Sequence, residues 1–441
     1  MEEIAGGARK DTNRRWVRVD RIKLVLKGGR VVVDRFEDPP VRVDIAINEE
    51  GRIARIAPHV ECEGAEVWDL GGLLVLPGLV DIHQHLDKTR TARYADNPSG
   101  TLAGAIEVFS AYAMRASQED IAERAHRTIE ACIARGTVGI RSHANVDHKW
   151  GLGAVKALVE LRSRMQDRIR LQVVAFLSGG ALGVSISEAG RLAEEALDEG
   201  ADAIGGAPDF SEHPEEFIDM LFDVAVRHGC PLDLHVDETL NPEARLLAHV
   251  ARRTIERGLE GQVVVSHCCS LSAMPPGAAL AIVELVARAR VGVVTLPATN
   301  LFLQGREAPL LPPRGLTRIR ELLEAGVPVA YASDNIQDPF NPVGTGDLLE
   351  VGRWMFLSAQ LPSELLPHVY AMGSTVPAQL MRLGEDYGMR EGAYADLLIL
   401  DAKDAADAIA SGPLNRTVLF HGRHVAGPSY RDPLSNGRSL E

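Results

Sequence analysis

The chain is poor in cysteine and in the spacings that make cysteine structural. Its five cysteines, at 62, 132, 230, 268 and 269 of 441 residues, include no CxxC pair. Neither a disulfide framework nor a thiolate zinc site is indicated, and a reducing cytoplasm is expected. A basic excess is also missing: 61 acidic residues against 47 basic ones leave a formal charge of −14. That balance argues against nucleic acid or an anionic membrane as partner. No run approaches the ~20 apolar residues that span a bilayer, and the charged start MEEIAGGARKDTNRR has no apolar signal core behind it. Low-complexity segments are absent as well. A soluble, unexported chain is expected.

What is present is the composition of an ordinary folded protein, 46% hydrophobic and 24% charged, long enough for roughly two or three domains. The first seventy-five residues alternate short β-rich runs with turn signals, as in RIKLVLKGGRVVV and VRVDIAINEEGRIARIAP. The rhythm then changes to strand, loop and amphipathic helix. Eight apolar strands are expected at 77–84, 137–144, 170–177, 201–207, 232–236, 262–267, 291–296 and 328–333. Helices fit at 118–135, 151–167, 187–199, 214–229, 241–258, 275–290 and 315–325, and further helical segments near 344–359 and 361–383. Continuous apolar strands alternating with helices imply parallel strands buried on both faces, and eight such units can close into a (β/α)8 barrel. An open doubly wound sheet is the alternative. EGAYADLLILDAKD and RTVLFHGRHVAG then return to the β-rich style of the start. The expected architecture is therefore an α/β chain: a (β/α)8 TIM-like barrel over 76–384, and a small β-sandwich domain built from both chain ends, 1–75 plus 385–441.

Active sites of such barrels lie at the carboxyl ends of the strands, and polar residues cluster there. Strand one ends in His83-Gln84-His85, strand two in Arg141-Ser142-His143, strand five in His235-Val236-Asp237-Glu238, strand six in Ser266-His267 and strand eight in Ser333-Asp334-Asn335. An HxH pair alone is weak, since chance gives ~0.4 in a chain with this many histidines. On a strand, however, i and i+2 share a face, so two imidazoles can converge on one ion. His235 and Asp334 could complete a nitrogen-plus-carboxylate set that suits Zn2+ or Fe2+. Any one of these histidines alone is more simply a hydrogen-bonded buried residue; all of them together are not. A water on such an ion has its pKa lowered to ~7, which supplies a nucleophile. Glu238 is the acid/base candidate, although a solvated carboxylate at a helix start is the commoner fate of a lone glutamate. His267 either orients the nucleophile or is a further ligand. Cys268 and Cys269 read as small buried fillers.

At these residues the sequence resembles the amidohydrolase superfamily, in its branch containing cytosine deaminase and N-isopropylammelide amidohydrolase. PGLVDIHQHLDK, LHVDE, the strand-six SH, SDNIQDPFNPVGTGDLLE, TNLFLQGR and ADLLILD carry the resemblance over nearly the whole chain. It implies one divalent metal, Zn2+ or Fe2+, held by His83, His85, His235 and Asp334. It further implies that Glu238 shuttles protons to the ring nitrogen and leaving amine, that His267 holds the hydroxide, and that Asp334 takes the water proton. Two-metal members commonly use a carboxylated lysine on strand four; strands three and four here offer none, so a mononuclear site follows. The implied reaction is removal of ammonia from a C–NH2 group of a cytosine-like nitrogen heterocycle by a homo-oligomeric enzyme. Release of an alkylamine, or hydrolysis of a cyclic amide, is the alternative, and a metal-free scaffold would have lost ligands that are all present.

The departures from cytosine deaminases fall on the substrate side. A threonine, a glutamine, a second aspartate and a tryptophan of that pattern are replaced by Lys88, Ser178, Asn335 and Phe340. Lys88 could meet a ring carbonyl or an anionic oxygen, or snorkel at the surface. Phe340 could stack on a flat ring or anchor its loop. Asn335 could read an N–C=O edge or cap a turn. Arg141 and His143 could contact substrate or lie behind the ligands.

Overall fold

The computed structural model describes residues 21–33, 35–61, 63–178 and 184–430. The charged amino-terminal segment, Cys62 and residues 431–441 lie outside them. The first strands are β1 (Ile22–Val31), β2 (Val41–Asn48), β3 (Ile53–Ala57), β4 (Glu66–Asp69) and β5 (Leu74–Pro77). β1 pairs antiparallel with β2 and parallel with β4 and β5. Eight parallel strands follow: β6 (Leu79–Gln84), β7 (Thr137–Val146), β8 (Arg170–Leu177), β9 (Ala203–Gly206), β10 (Leu232–Val236), β11 (Val263–His267), β12 (Gly292–Thr295) and β13 (Val329–Tyr331). They pair in sequence order. From the carboxyl end come β14 (Leu397–Leu400), β15 (Arg416–Phe420) and β16 (Arg423–Ala426). β14 pairs antiparallel with β5, so both ends of the chain build one mixed sheet, as expected.

The barrel closes between β6 and the segment after β13. Gln84 bridges Asp334 in parallel register, and the Asp334 N–H donates to the His83 carbonyl at 2.8 Å. Buried Asp81 staples the same seam, accepting from Gln84 Nε2 at 2.6 Å and from the Ser333 N–H at 3.1 Å. Seven of the eight strands are buried along their whole length, and β8 from Val173 onward, which is why they read as largely apolar runs. Gly205 is required where β9 meets β10, because a Cβ there would collide with the Asp233 carbonyl.

Outside the barrel, helices form where an apolar stripe follows a capping residue. Helix Gln118–Ile133 has Ser117 accepting from the Asp120 N–H, two acidic residues in its first turn, and Ile121, Ala125, Ile129 and Cys132 facing the barrel. Helix Pro214–His228 starts on proline and ends at Gly229 with φ 64°, the left-handed stop that glycine adopts without strain. Helix Leu246–Arg257 starts later than the sequence pattern suggests. The Asp237 carboxylate accepts from the Leu246 and Leu247 N–H groups at 3.2 and 3.3 Å, so the helix begins where that cap can reach it.

Four α-helices escape the periodicity reading: Leu102–Ala113, Pro297–Leu303, Ala405–Ser411 and the single turn Ser270–Ala273. The first lies in the long connection after β6. It begins at Thr101, whose side chain accepts from the Gly104 N–H. Its Ala105, Phe109 and Tyr112 form a small separate core with Leu303 and Phe340 above the barrel mouth.

Candidate active site

Strand geometry brings the histidines and aspartate together. His83 and His85, two residues apart at the end of β6, put their rings 5.3 Å apart. His235 enters from β10, and its Nε2 lies 3.1 Å from His85 Nε2. Asp334, just past β13, places Oδ1 3.5 Å from His83 Nε2 and 3.4 Å from His85 Nε2. His83, His235 and His267 likewise bring one nitrogen each within 4.8 Å of one another. All of these side chains are buried. Asp237, His267 and Asp334 adopt φ of 52°, 67° and 58°. Non-glycine residues rarely take such left-handed conformations, which cluster at sites where side chains must be aimed.

The arrangement fits a cation. Both ring nitrogens of His83, Nδ1 of His85 and of His235, Nε2 of His267 and both Asp334 carboxylate oxygens are buried without a hydrogen bond. Buried polar atoms are normally satisfied, and so many convergent orphans call for a missing partner. Burial and the neighbouring imidazoles depress the proton affinities of His83 and His235; burial and Lys88 depress that of His85. Their rings are therefore neutral and have lone pairs to give. Burial also pushes Asp334 up to about 7.

Glu238 stands beside this set. Its side chain is 8% exposed and its Oε1 lies 3.4 Å from His267 Nδ1. Burial, reinforced by Asp334 and Asp209, raises its carboxyl well above the ordinary range. Its backbone carbonyl accepts from Gln304 Nε2 at 3.2 Å, and the preceding residue is held by Asp209, whose carboxylate accepts from the Asp237 N–H at 3.0 Å. Burial, with Asp237, lifts Asp209 to about 7. Asn300 Nδ2 lies 3.0 Å from His267 Nδ1. With the amide assigned as donor, the His267 proton sits on Nε2 and points toward the ligand cluster. Burial lowers His267 to about 3, so its ring is neutral.

A cavity of about 730 Å³, its open mouth included, rises above these groups. Lys88, Ser178, Asn335 and Phe340 all line it, as do His85, His235, Glu238, His267 and Asp334. Lys88 is not a surface lysine: it is 5% exposed. Asn335 uses its amide nitrogen on Asp338, at 2.8 Å. Phe340 packs edge-on against Phe109, with centroids 6.3 Å apart. His83 is absent from the lining, and His143 lies beside it with rings 4.0 Å apart. Arg141 and His143 are absent from the lining and engage Asp233: Arg141 Nη1 pairs with Asp233 Oδ2 at 2.8 Å, and His143 Nε2 is 3.2 Å from Asp233 Oδ1. Cys268 and Cys269 are buried, with thiols raised by burial, and so act as neutral packing groups. Sequence reasoning missed Asn300, Gln304, Asp209, Asp233 and the wall formed by Leu102, Ile106 and Phe109. TNLFLQGR held the signal for the first two.

A model described as "Amidohydrolase family" matches residues 66–426. The chain belongs to the amidohydrolase family. Among curated relatives, this amidohydrolase is 31% identical over 377 residues to a pterin deaminase of Rhizobium rhizogenes, covering 82% of this chain and 84% of that one. It is 28% identical over 383 residues to an N-isopropylammelide isopropyl amidohydrolase of Pseudomonas sp., covering 85% and 91%. Among solved structures, 5-methylcytosine deaminase from Klebsiella pneumoniae, liganded with 5-fluorocytosine, superposes with a TM-score of 0.83 at 29% identity, covering 92% of this chain and 97% of that one. The amidohydrolase is thus a hydrolase of carbon–nitrogen bonds. No helix among its described residues is long and apolar enough to cross a membrane.

Proposed function

We propose that this amidohydrolase is a metal-dependent aminohydrolase that releases ammonia from a C–NH2 group of a cytosine-like nitrogen heterocycle. The observation that carries the reading is the carboxyl of Glu238, 3.4 Å from His267 Nδ1 and lining the same cavity as His85, His235 and Asp334. Ring deamination needs a group that is an acid toward the ring nitrogen and then a carrier to the leaving amine. The names of the relatives support the same chemistry.

His83, His85, His235 and Asp334 would hold one divalent ion, Zn2+ or Fe2+, and no lysine on β8 or β9 is available to bridge a second. When bound, that ion supplies Lewis acidity and a water acidified to ~7. Glu238 donates its proton to the ring nitrogen next to the amino carbon as water adds to that carbon. His267 Nε2–H orients the water oxygen, and Asp334 accepts the water proton. Glu238, now a carboxylate, carries the second water proton from the new hydroxyl to the amino group, the C–N bond breaks, ammonia leaves and the ring carbon keeps its oxygen as a carbonyl; the proton held by Asp334 returns to Glu238. Lys88, Ser178, Asn335 and Phe340 form the substrate side.

The apolar wall of Leu102, Ile106 and Phe109 favours one second reading, in which an alkylamine rather than ammonia departs across it. A single assay separates the two. Zn- and Fe-loaded protein is offered aminopyrimidines, aminotriazines, aminopurines and aminopteridines, with ammonia and alkylamine both measured. Ammonia from one ring class is expected; alkylamine alone moves the assignment to the second reading, and silence across all rings refutes both.

A further inference from the structure

Lys88 is a buried cation in unusual company. Its ammonium sits 4.6 Å from the ring centroid of Phe340, 5.4 Å from that of Phe176 and 5.6 Å from that of Phe109. Among the described residues, no acceptor lies within hydrogen-bond reach of its three donors and no carboxylate within 4 Å. The nearby acids are otherwise engaged. Asp338 accepts from Asn335 Nδ2 at 2.8 Å and from the Phe340 and Asn341 N–H groups at 2.9 and 3.1 Å. Asp334 turns toward His83 and His85, and Glu238 toward His267.

Aromatic faces attract a cation only weakly, whereas drawing an ammonium out of water is costly unless it is paired. The ammonium therefore stands on the wall of the cavity with three rings around it and, among the described residues, no carboxylate partner. The cavity is thus poised to gain an anion, and its lining otherwise sets Leu102, Ile106 and Phe109 beside the neutral polar groups Ser110, Asn145 and Ser178.

We infer that the substrate heterocycle carries a negatively charged oxygen, and that Lys88 receives it as the counter-ion. This rests on the cavity being the heterocycle site proposed above. The oxygen can belong to an ionised ring lactam or to a carboxylate substituent; both present the same chemistry to the ammonium. In either case Lys88 sets specificity by leaving a buried charge unpaired when a neutral ring binds.

The test measures binding by calorimetry to zinc-loaded protein in the Glu238→Gln background, so that turnover does not consume the probes. Matched pairs are used: cytosine with its 5-carboxylate, 2-amino-4-oxopteridine with its 6-carboxylate, and ammelide followed through its ring ionisation. For at least one scaffold the anion is expected to bind roughly 100-fold tighter than its neutral partner, the scale of a buried charge-assisted pair. Adding Lys88→Met should shrink that preference to about threefold or less, and Lys88→Arg should retain only part of it, because a planar guanidinium does not fit the cage. A carboxylate source gives a preference that is flat from pH 5 to 9, and a ring-lactam source gives one that rises through the lactam's own pKa. No preference in the Lys88 protein, or a preference that survives Lys88→Met, overturns the inference. A Lys88-dependent preference in an enzyme that releases no ammonia from any ring would sustain it while refuting the aminohydrolase reading. Circular dichroism and metal content of both variants show that the comparison is between folded, loaded proteins.

Discussion

Glu238→Gln tests the site at its centre, because glutamine keeps the volume and removes only the proton carrier. The Glu238 carboxyl contacts His267 at 3.4 Å and makes no ion pair with any of the four proposed ligands, so bound metal should stay at the wild-type level. General acid/base catalysis is worth about 10²–10⁴ in rate, or roughly 3–5 kcal/mol of barrier. Ammonia release should fall by that factor with KM little changed. A second readout comes from stability. Burial raises the folded pKa of Glu238 above its unfolded value, so its contribution is complete below the unfolded pKa of ~4.3 and is lost as pH rises through the raised folded value. In chelator-stripped protein, wild type should therefore lose urea stability on the alkaline side of the carboxylate range, and Glu238→Gln should lose less. A turnover near wild type, or a metal loss that parallels the rate loss, would refute the assignment of Glu238 as proton carrier.

Other substitutions separate the remaining roles. Asp334→Ala or His83→Ala should abolish both metal content and ammonia release, and metal analysis showing full loading with full rate would sink the ligand set. Asn300→Ala leaves the buried His267 Nδ1 without its partner at 3.0 Å, a cost of about 1–3 kcal/mol. The rate should drop roughly 10- to 100-fold with metal retained; loss of metal instead would make His267 a ligand rather than the orienter. Arg141→Met strands the buried Asp233 carboxylate, and urea unfolding should show about 3–5 kcal/mol of destabilisation, most of it recovered when Asp233→Leu is added.

The barrel was legible because parallel strands buried on both faces leave continuous apolar runs, and LQVVAF, VVVSH and VGVV are such runs. The clustering of His83, His85, His235 and Asp334 was legible because strand ends in a barrel converge. What sequence did not show depends on through-space contacts. Asp209 and Asp237 look like ordinary loop acids until the 3.0 Å contact between them is seen. Lys88 reads equally well as surface or site, since only Phe109, Phe176 and Phe340, from three distant segments, decide it. Helix Leu102–Ala113 had its cap and its stripe in the sequence, but it falls outside the one-helix-per-strand rhythm that reveals the others.

The mixed sheet described above has a consequence for how the chain reaches its native state. β5 leads directly into β6, yet its antiparallel partner β14 is some three hundred residues away. Tyr370 and Tyr387 close the same gap, donating to the carbonyls of Pro77 and Gly78. Pairings so distant in sequence slow folding, because the loop entropy is lost before the contact forms. On a ribosome, β5 leaves the exit tunnel long before its partner is made, and its LVLP edge stays open for the whole synthesis of the barrel. An early apolar edge that waits for a late strand is a point where chaperones would engage the nascent chain and where truncated products would aggregate.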